Sequence, residues 1–275
     1  MTLSIGTVKG LSVAEQLNLD ALVKVYNAHE NSNNIKARYY EGHIRLGEVN
    51  LGIALPRGMR GLEIGCEWGR KCVDVLASRS MFDGFVGVNG ENNEALNKIV
   101  EGNNLISEYQ KATKDELKLG CTFATLSADK EIGCKIRFHS ARTSAALWDG
   151  SKGRISCGFS IIDTVRDESE ALNWHPAMIN YYTDEAVIVL VKDDKGWSAK
   201  RHKHKMGRPL MVPMIYGATS DKPFGSSRIK EPIRRLIQGY VRTIANATIA
   251  AQMTASLLPK FSFKLTIISP FNGIT

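Results

Sequence analysis

A chain of 275 residues with 43% hydrophobic content can bury a sizeable core, in one large domain or two modest ones. Its net charge of +8 and pI near 9.2 permit contact with a polyanion, but the excess is mild and spread along the chain, so charge alone does not name nucleic acid. No run approaches the roughly eighteen apolar residues of a membrane span, and the N-terminus lacks a signal-peptide layout. The expectation is a protein working in, or assembled in, the cytoplasm. Cys66, Cys72, Cys121, Cys134 and Cys157 are scattered without a C-x-x-C pair or a histidine at zinc-ligand spacing, which reads as reduced, mostly buried thiols.

Along the chain, Ser12 with Glu15 three residues later is a capping-box pattern. Leu19, Leu22, Val23 and Tyr26 continue at helical spacing, predicting an amphipathic helix over residues 13–30 that the asparagine-rich stretch 31–34 ends. Tyr39 and Tyr40 then form an aromatic pair suited to docking on a core, and residues 51–56 read as a turn-rich connection. A second helix is expected at about 68–79, with Trp68, Cys72, Val75 and Leu76 on its apolar face. A third is expected at about 92–111, carrying Leu96, Ile99, Val100, Ile106 and Tyr109 and bending near Gly102.

After Gly120 the period changes. Residues 121–126, 135–139, 154–162, 185–191 and 197–201 are short β-prone runs separated by turn residues such as Asp149-Gly150, Asp193-Asp194 and Lys195-Gly196. With no helix-length segment between most of them, they predict an antiparallel, meander-like sheet in an α+β fold. The basic cluster Lys200, Arg201, His202, Lys203, His204, Lys205 ends this series and reads as a solvated loop, or alternatively a phosphate-contacting patch. Pro209 and Pro213 forbid a central strand over residues 206–215.

The best-defined element is the run from Gly225 to about Gln252. Ile229, Ile233, Leu236, Ile237, Tyr240, Val241, Ile244 and Thr248 line one stripe of a helix, and Arg234, Gln238 and Arg242 follow at i, i+4 and i+8 with Arg235 beside them. Because an interior proline costs about 3 kcal/mol, the regular helix should begin near Pro232 or kink there. Gly239 inside it is expected to mark a close approach by a neighbour. A run of roughly 25 residues reaches on the order of 35 Å, long enough to project from the body and pack on copies of itself. Beyond it, Phe261, Phe263, Leu265 and Ile267 alternate like a strand. The organisation is then residues 1–34, an N-terminal helix; 35–224, an α+β domain; 225–252, the long helix; and 253–275, an atypical tail.

Enzyme motifs are sparse. Leu62, Glu63, Ile64, Gly65, Cys66, Glu67, Trp68, Gly69 is similar to the glycine-rich turn of S-adenosylmethionine-dependent methyltransferases, but Glu67 and Trp68 put bulk where the cofactor would approach, and the strand before it is too polar for a buried parallel strand. Gly84, Gly87 and Gly90 do not make a dinucleotide fingerprint, and there is no P-loop, H-E-x-x-H or G-x-S-x-G. The acidic pairs Asp167-Glu168 and Asp193-Asp194 are expected to be solvated, and His29, His43, His139 and His175 are isolated. The expectation is a non-enzyme without catalytic, cofactor-binding or metal-ligating residues; the rivals are a methyltransferase and a nucleic-acid-binding module.

Several fragments in order carry a family resemblance: Tyr39-Tyr40-Glu41-Gly42-His43, Leu51-Gly52-Ile53-Ala54-Leu55-Pro56, Trp68-Gly69-Arg70 and Gly84-Phe85 in the first half, then Trp148-Asp149, His204-Lys205-Met206-Gly207-Arg208-Pro209 and Phe224-Gly225-Ser226-Ser227-Arg228-Ile229. From about residue 35 to about residue 250 the chain resembles the portal, or head-to-tail connector, proteins of tailed double-stranded DNA bacteriophages. The resemblance implies a homo-oligomeric ring, commonly of twelve subunits, at one capsid vertex of the virion, through which DNA is packaged and ejected without sequence recognition. It implies binding to terminase, to capsid or scaffold protein and to head-completion proteins. It also makes the α+β body a portal wing and the long helix a projecting stem, with Arg234, Arg235, Gln238 and Arg242 as subunit-interface or lumen candidates. In that family a clip, a second stem helix and a crown follow; the pattern dissolves near Gln252, so a truncated or frame-disrupted copy, such as a prophage remnant, is expected.

Overall fold

The computed structural model describes residues 3–49, 61, 63–86, 93–166, 174–193 and 196–257. In chain order the elements are β1 (Val8–Lys9), α1 (Val13–Glu41), β2 (His43–Arg45), a 3-10 turn (Leu46–Glu48), β3 (Glu63–Gly65), α2 (Trp68–Ala77), α3 (Glu94–Gly102) and α4 (Leu105–Leu119). There follow β4 (Cys121–Asp129), β5 (Gly133–Ser140), β6 (Ser144–Asp149), β7 (Arg154–Arg166), β8 (Trp174–Tyr182), β9 (Ala186–Asp193), β10 (Gly196–Lys203), β11 (Met211–Ile215) and α5 (Glu231–Leu257). The fold is α+β, and among the described residues no helix is long and apolar enough to cross a membrane.

β6 to β10 pair each with the next in antiparallel order, so five consecutive strands form the expected meander, and β1 adds a short parallel strand beside β10. Sequence reading places β7, β9 and β10 but passes over β6 and β8. β8 carries Pro176, which sits where β8 pairs only with β7; pairing with β9 begins at Met178, so the missing N–H takes nothing from the β8–β9 ladder. The same rule explains β11: it is an edge strand of a second sheet ordered β11-β4-β5, with Pro213 opposite Phe123.

Both faces of the meander are covered. On one, Leu19 and Leu22 of α1 bury against Phe159, Ile179, Tyr181, Ile188, Leu190 and Trp197. On the other, Phe123 and Met211 of the smaller sheet meet Ala146, Ile155 and Tyr182. Adjacent residues such as Tyr181 and Tyr182 serve opposite faces, as the two-residue period of a strand requires. Gly158 makes this stacking possible, since a Cβ there would stand 2.5 Å from the Met211 sulfur.

α1 begins as its capping box dictates: the Glu15 N–H donates to Ser12 Oγ at 3.3 Å and the Ser12 N–H to Glu15 Oε2 at 2.9 Å. It does not stop at residues 31–34. Asparagine disfavours a helix interior by only some tenths of a kcal/mol, and Asn33 is buried, its Nδ2 donating to the Ala141 carbonyl at 3.2 Å, so packing carries the helix on to Glu41. Gly42, at φ 80°, ends it in the left-handed conformation. The helix expected at 92–111 is two helices broken near Gly102. Asn103 Nδ2 donates to the carbonyls of Ile99 and Cys134, and its Oδ1 accepts from the Ile136 N–H, exchanging helix continuity for a tie to β5.

α2 corrects another expectation. Its buried positions are Gly69, Val73 and Ala77, at four-residue spacing, whereas Trp68, Val75 and Leu76 are exposed. The small residues face inward because α2 lies directly on the last turn of α1, where only a small contact stripe fits. The residues 51–56, Leu62, Gly87, Gly90, Asp167-Glu168, the 194–195 turn and the alternating stretch around 261–267 lie outside the described residues.

Candidate functional site

The approach to α5 is tightly strapped. Gly225 (φ 69°) turns the chain so closely over Tyr216 that a Cβ would meet its carbonyl oxygen at 2.2 Å. Ser227 Oγ donates to the Lys118 carbonyl and accepts the Ile229 N–H at 2.9 Å, while the Arg228 N–H donates to the Leu117 carbonyl at 2.8 Å. Ser227 and Arg228 thus fasten the segment to the end of α4, while the Ser226 N–H donates to the Tyr216 carbonyl at 2.9 Å. The regular helix starts at Glu231, with Pro232 in its first turn, where the absent N–H is harmless.

The expected apolar stripe of α5 is divided. Ile237, Val241 and Ala245 are buried, with Ile233 and Tyr240 packed beside them, against Ile44, Leu46, Val49 and Cys66. Leu236 and Ile244 stay 61% and 38% exposed. Gly239, Thr243, Ala247 and Ala250 are exposed as well, and the hydroxyls of Thr243, Thr248 and Thr254 donate back to the carbonyls of Gly239, Ile244 and Ala250 of the same helix. Those hydroxyls are already satisfied, so this wall could be covered without stranding a donor. Half-exposed Trp68 of α2 stacks on Tyr240, with ring centres 5.2 Å apart.

The four side chains singled out on α5 have different surroundings. Arg235 is exposed and bonded to Glu231 one turn earlier, Nε to Oε1 at 2.9 Å. Gln238 Nε2 donates to the Tyr39 hydroxyl at 2.7 Å, tying α5 to the last turn of α1. Arg242 is exposed. Arg234 turns inward and lines a cavity of about 500 Å³ between α1, the 222–231 segment and the strands β4 and β6. It has no carboxylate partner among the described residues, and its Nε is buried without a hydrogen bond.

Lys36 of α1 lines the same cavity. Its Nζ is held by Asn33 Oδ1 at 3.3 Å and the Leu119 carbonyl at 3.2 Å, and among the described residues no carboxylate pairs with it. Burial pulls its pKa below the ordinary lysine value, and the like charge of Arg234 adds to the depression. Cys121, on the same wall, is pushed up to about 12 by burial and is a neutral thiol. Ser144, 3% exposed, also lines the cavity with its hydroxyl unpartnered. Sequence reading picked out Arg234 but not Lys36 or Ser144, which lie 198 and 90 positions away and have no motif in common with it.

No protein-family model matches the chain, and no curated protein matches it.

The basic cluster is a strand for most of its length, not a loop: Lys200, Arg201, His202 and Lys203 belong to β10. Arg201 bonds Glu15 in bidentate fashion, at 2.7 and 2.9 Å, and this holds the Glu15 carboxyl down at about 2. The glycine-rich stretch stands in a different setting from a cofactor turn. Glu63–Gly65 pairs antiparallel with His43–Arg45 in a two-stranded sheet, and the one parallel pairing among the described strands is β1 with β10.

Proposed function

We propose that the chain is a subunit of a phage portal ring, a structural protein of the virion through which double-stranded DNA is packaged and ejected. In this reading the β6–β10 meander with its helices is the wing, and α5 is a stem helix reaching from it toward neighbouring subunits. The observation that carries the proposal is the two-sided character of α5. Its Ile237–Val241–Ala245 seam is used up within the chain, while Leu236, Ile244 and the small, internally hydrogen-bonded residues between them are left uncovered. Such a helix suits a rotationally repeated assembly, because one face is held by its own body and another is left to meet a different surface of a neighbour.

The charge pattern supports a conduit role. Of the four α5 candidates, Arg235 is paired with a carboxylate and Arg242 is the exposed cation without one among the described residues. Weak, sparse phosphate contact lets a duplex slide, whereas several firm contacts would hold it and give a steep salt dependence. Terminase, capsid or scaffold and head-completion proteins are the partners this reading implies. Native mass spectrometry and electron microscopy of the purified chain test it. Closed rings are the expected result, and a strict monomer at every concentration would refute ring formation by this chain.

A further inference from the structure

We infer that the cavity between α1, the 222–231 segment and β6 is a binding site for an organic carboxylate, an anionic head on an apolar body. Three polar groups line it without partners of opposite charge among the described residues. Lys36 uses two contacts to neutral oxygens and keeps a third N–H available. Arg234 has an unpartnered Nε, and Ser144 has an unpartnered hydroxyl although the residue is almost fully buried. Two unneutralised cations sharing one partly buried space repel each other, and an anion between them relieves both this repulsion and the two missing hydrogen bonds.

The rest of the cavity decides what kind of anion fits. Val25, Phe123, Ala145 and Phe224 supply apolar wall, and a volume of about 500 Å³ suits a small organic molecule or an inserted side chain. Inorganic phosphate would leave that wall empty and bring a second charge that the few donors satisfy poorly. A singly charged carboxylate uses both the cationic end and the apolar walls. The acid at the rim, Glu231, is occupied by Arg235 and does not neutralise the site. The carboxylate could be a free small molecule or could be carried by a second copy of the chain; the chemistry is the same, and the inference does not rest on the ring.

The test is titration of the intact chain with 3-phenylpropionate by calorimetry, with 3-phenylpropionamide as the uncharged twin. Binding of the acid and not of the amide is expected. Arg234→Gln should weaken it by about tenfold and Ser144→Ala, which alters no charge, by roughly threefold. Circular dichroism confirms that each variant is folded, and the serine variant keeps the test decisive if the arginine variant is not. Native mass spectrometry separates the sources. If 3-phenylpropionate or Arg234→Gln shifts assemblies toward monomer, the carboxylate comes from a second copy; binding without any change of assembly means a free ligand. Equal binding of acid and amide, full affinity in both variants, or no binding of the acid overturns the inference.

Discussion

Glycine-to-alanine substitution at two helical positions should act in opposite directions, and the difference measures how closely α2 is seated on α1. In an open helix interior the exchange stabilises by up to about 1 kcal/mol, because alanine loses less backbone freedom on folding. Gly239 in α5 meets that condition: no neighbour approaches it closely, contrary to the expectation from sequence, and nothing lies within 4 Å of where its Cβ would be. Gly69 in α2 does not. A Cβ there falls 2.2 Å from the Tyr39 carbonyl oxygen and 2.9 Å from its carbon, both rigid backbone atoms. Relief requires α2 to move by about 1 Å, since non-bonded carbon atoms rest at roughly 3.5 Å. That movement loosens Val73, Ala77, Leu117 and Ile229, which pack there, and stretches the 2.9 Å bond from the Tyr40 hydroxyl to Asp74. Overpacking of this kind costs about 1–3 kcal/mol, so Gly69→Ala should be net destabilising by about 2 kcal/mol against a gain of up to about 1 kcal/mol for Gly239→Ala. Urea denaturation followed by far-ultraviolet circular dichroism reads both as shifts in midpoint at unchanged slope. If Gly69→Ala unfolds at or above the wild-type midpoint, the close seating of α2 on α1 is refuted.

Four other outcomes are expected. Glu15, at about 2 in the fold against an ordinary 4.5, contributes stability that is fully present above pH 4.5 and is lost as the pH falls toward 2; solvent screening keeps this to about 1 kcal/mol, and Glu15→Gln should remove that slope from acid-denaturation curves. His139, lowered from 6.5 to about 4 by burial and then by Arg137, is held neutral, so stability is complete above pH 6.5 and declines between 6.5 and 4 by about 2 kcal/mol; an unchanged pH profile in His139→Gln would contradict it. Ile237→Ala empties a fully buried position between α5 and the Ile44–Leu46 cluster and should cost about 3 kcal/mol in equilibrium unfolding. Leu236→Lys, at an exposed position, should leave unfolding within about 0.5 kcal/mol of wild type yet abolish rings in electron micrographs, and intact rings would count against a subunit contact through this wall.

Much of the fold was legible in local pattern. The capping box at Ser12 and Glu15, the start of α5 near Pro232 and the meander all follow from interactions between residues close in sequence, where geometry is set by backbone sterics and a few hydrogen bonds. The errors have one character. Residues 31–34 seemed a terminus because asparagine is a poor helix former, but a single long-range bond from Asn33 to Ala141 outweighs that preference. Hydrophobicity alone does not mark the buried side of α2 or α5. Burial instead follows close approach, which favours Gly69 and Ala77 over Trp68, and Ala245 over Leu236.

The candidate site was visible only in part. Arg234 stood out because it repeats with Gln238 and Arg242, yet these three residues meet different fates: one faces a cavity, one bonds Tyr39, one faces solvent. Lys36 and Ser144 carry no pattern at all, and only the packing of α1 and β6 beside the start of α5 brings them to Arg234.

By itself, then, the sequence determined the α+β class, five of the strands and the starts of α1, α2 and α5, since these depend on periodicity, caps and turns within a few residues. Tertiary structure decided which face of each helix is covered, which prolines fall harmlessly on strand edges, and which cations lack a counter-charge. Those outcomes depend on contacts between residues tens to hundreds of positions apart, and no local pattern encodes such distances.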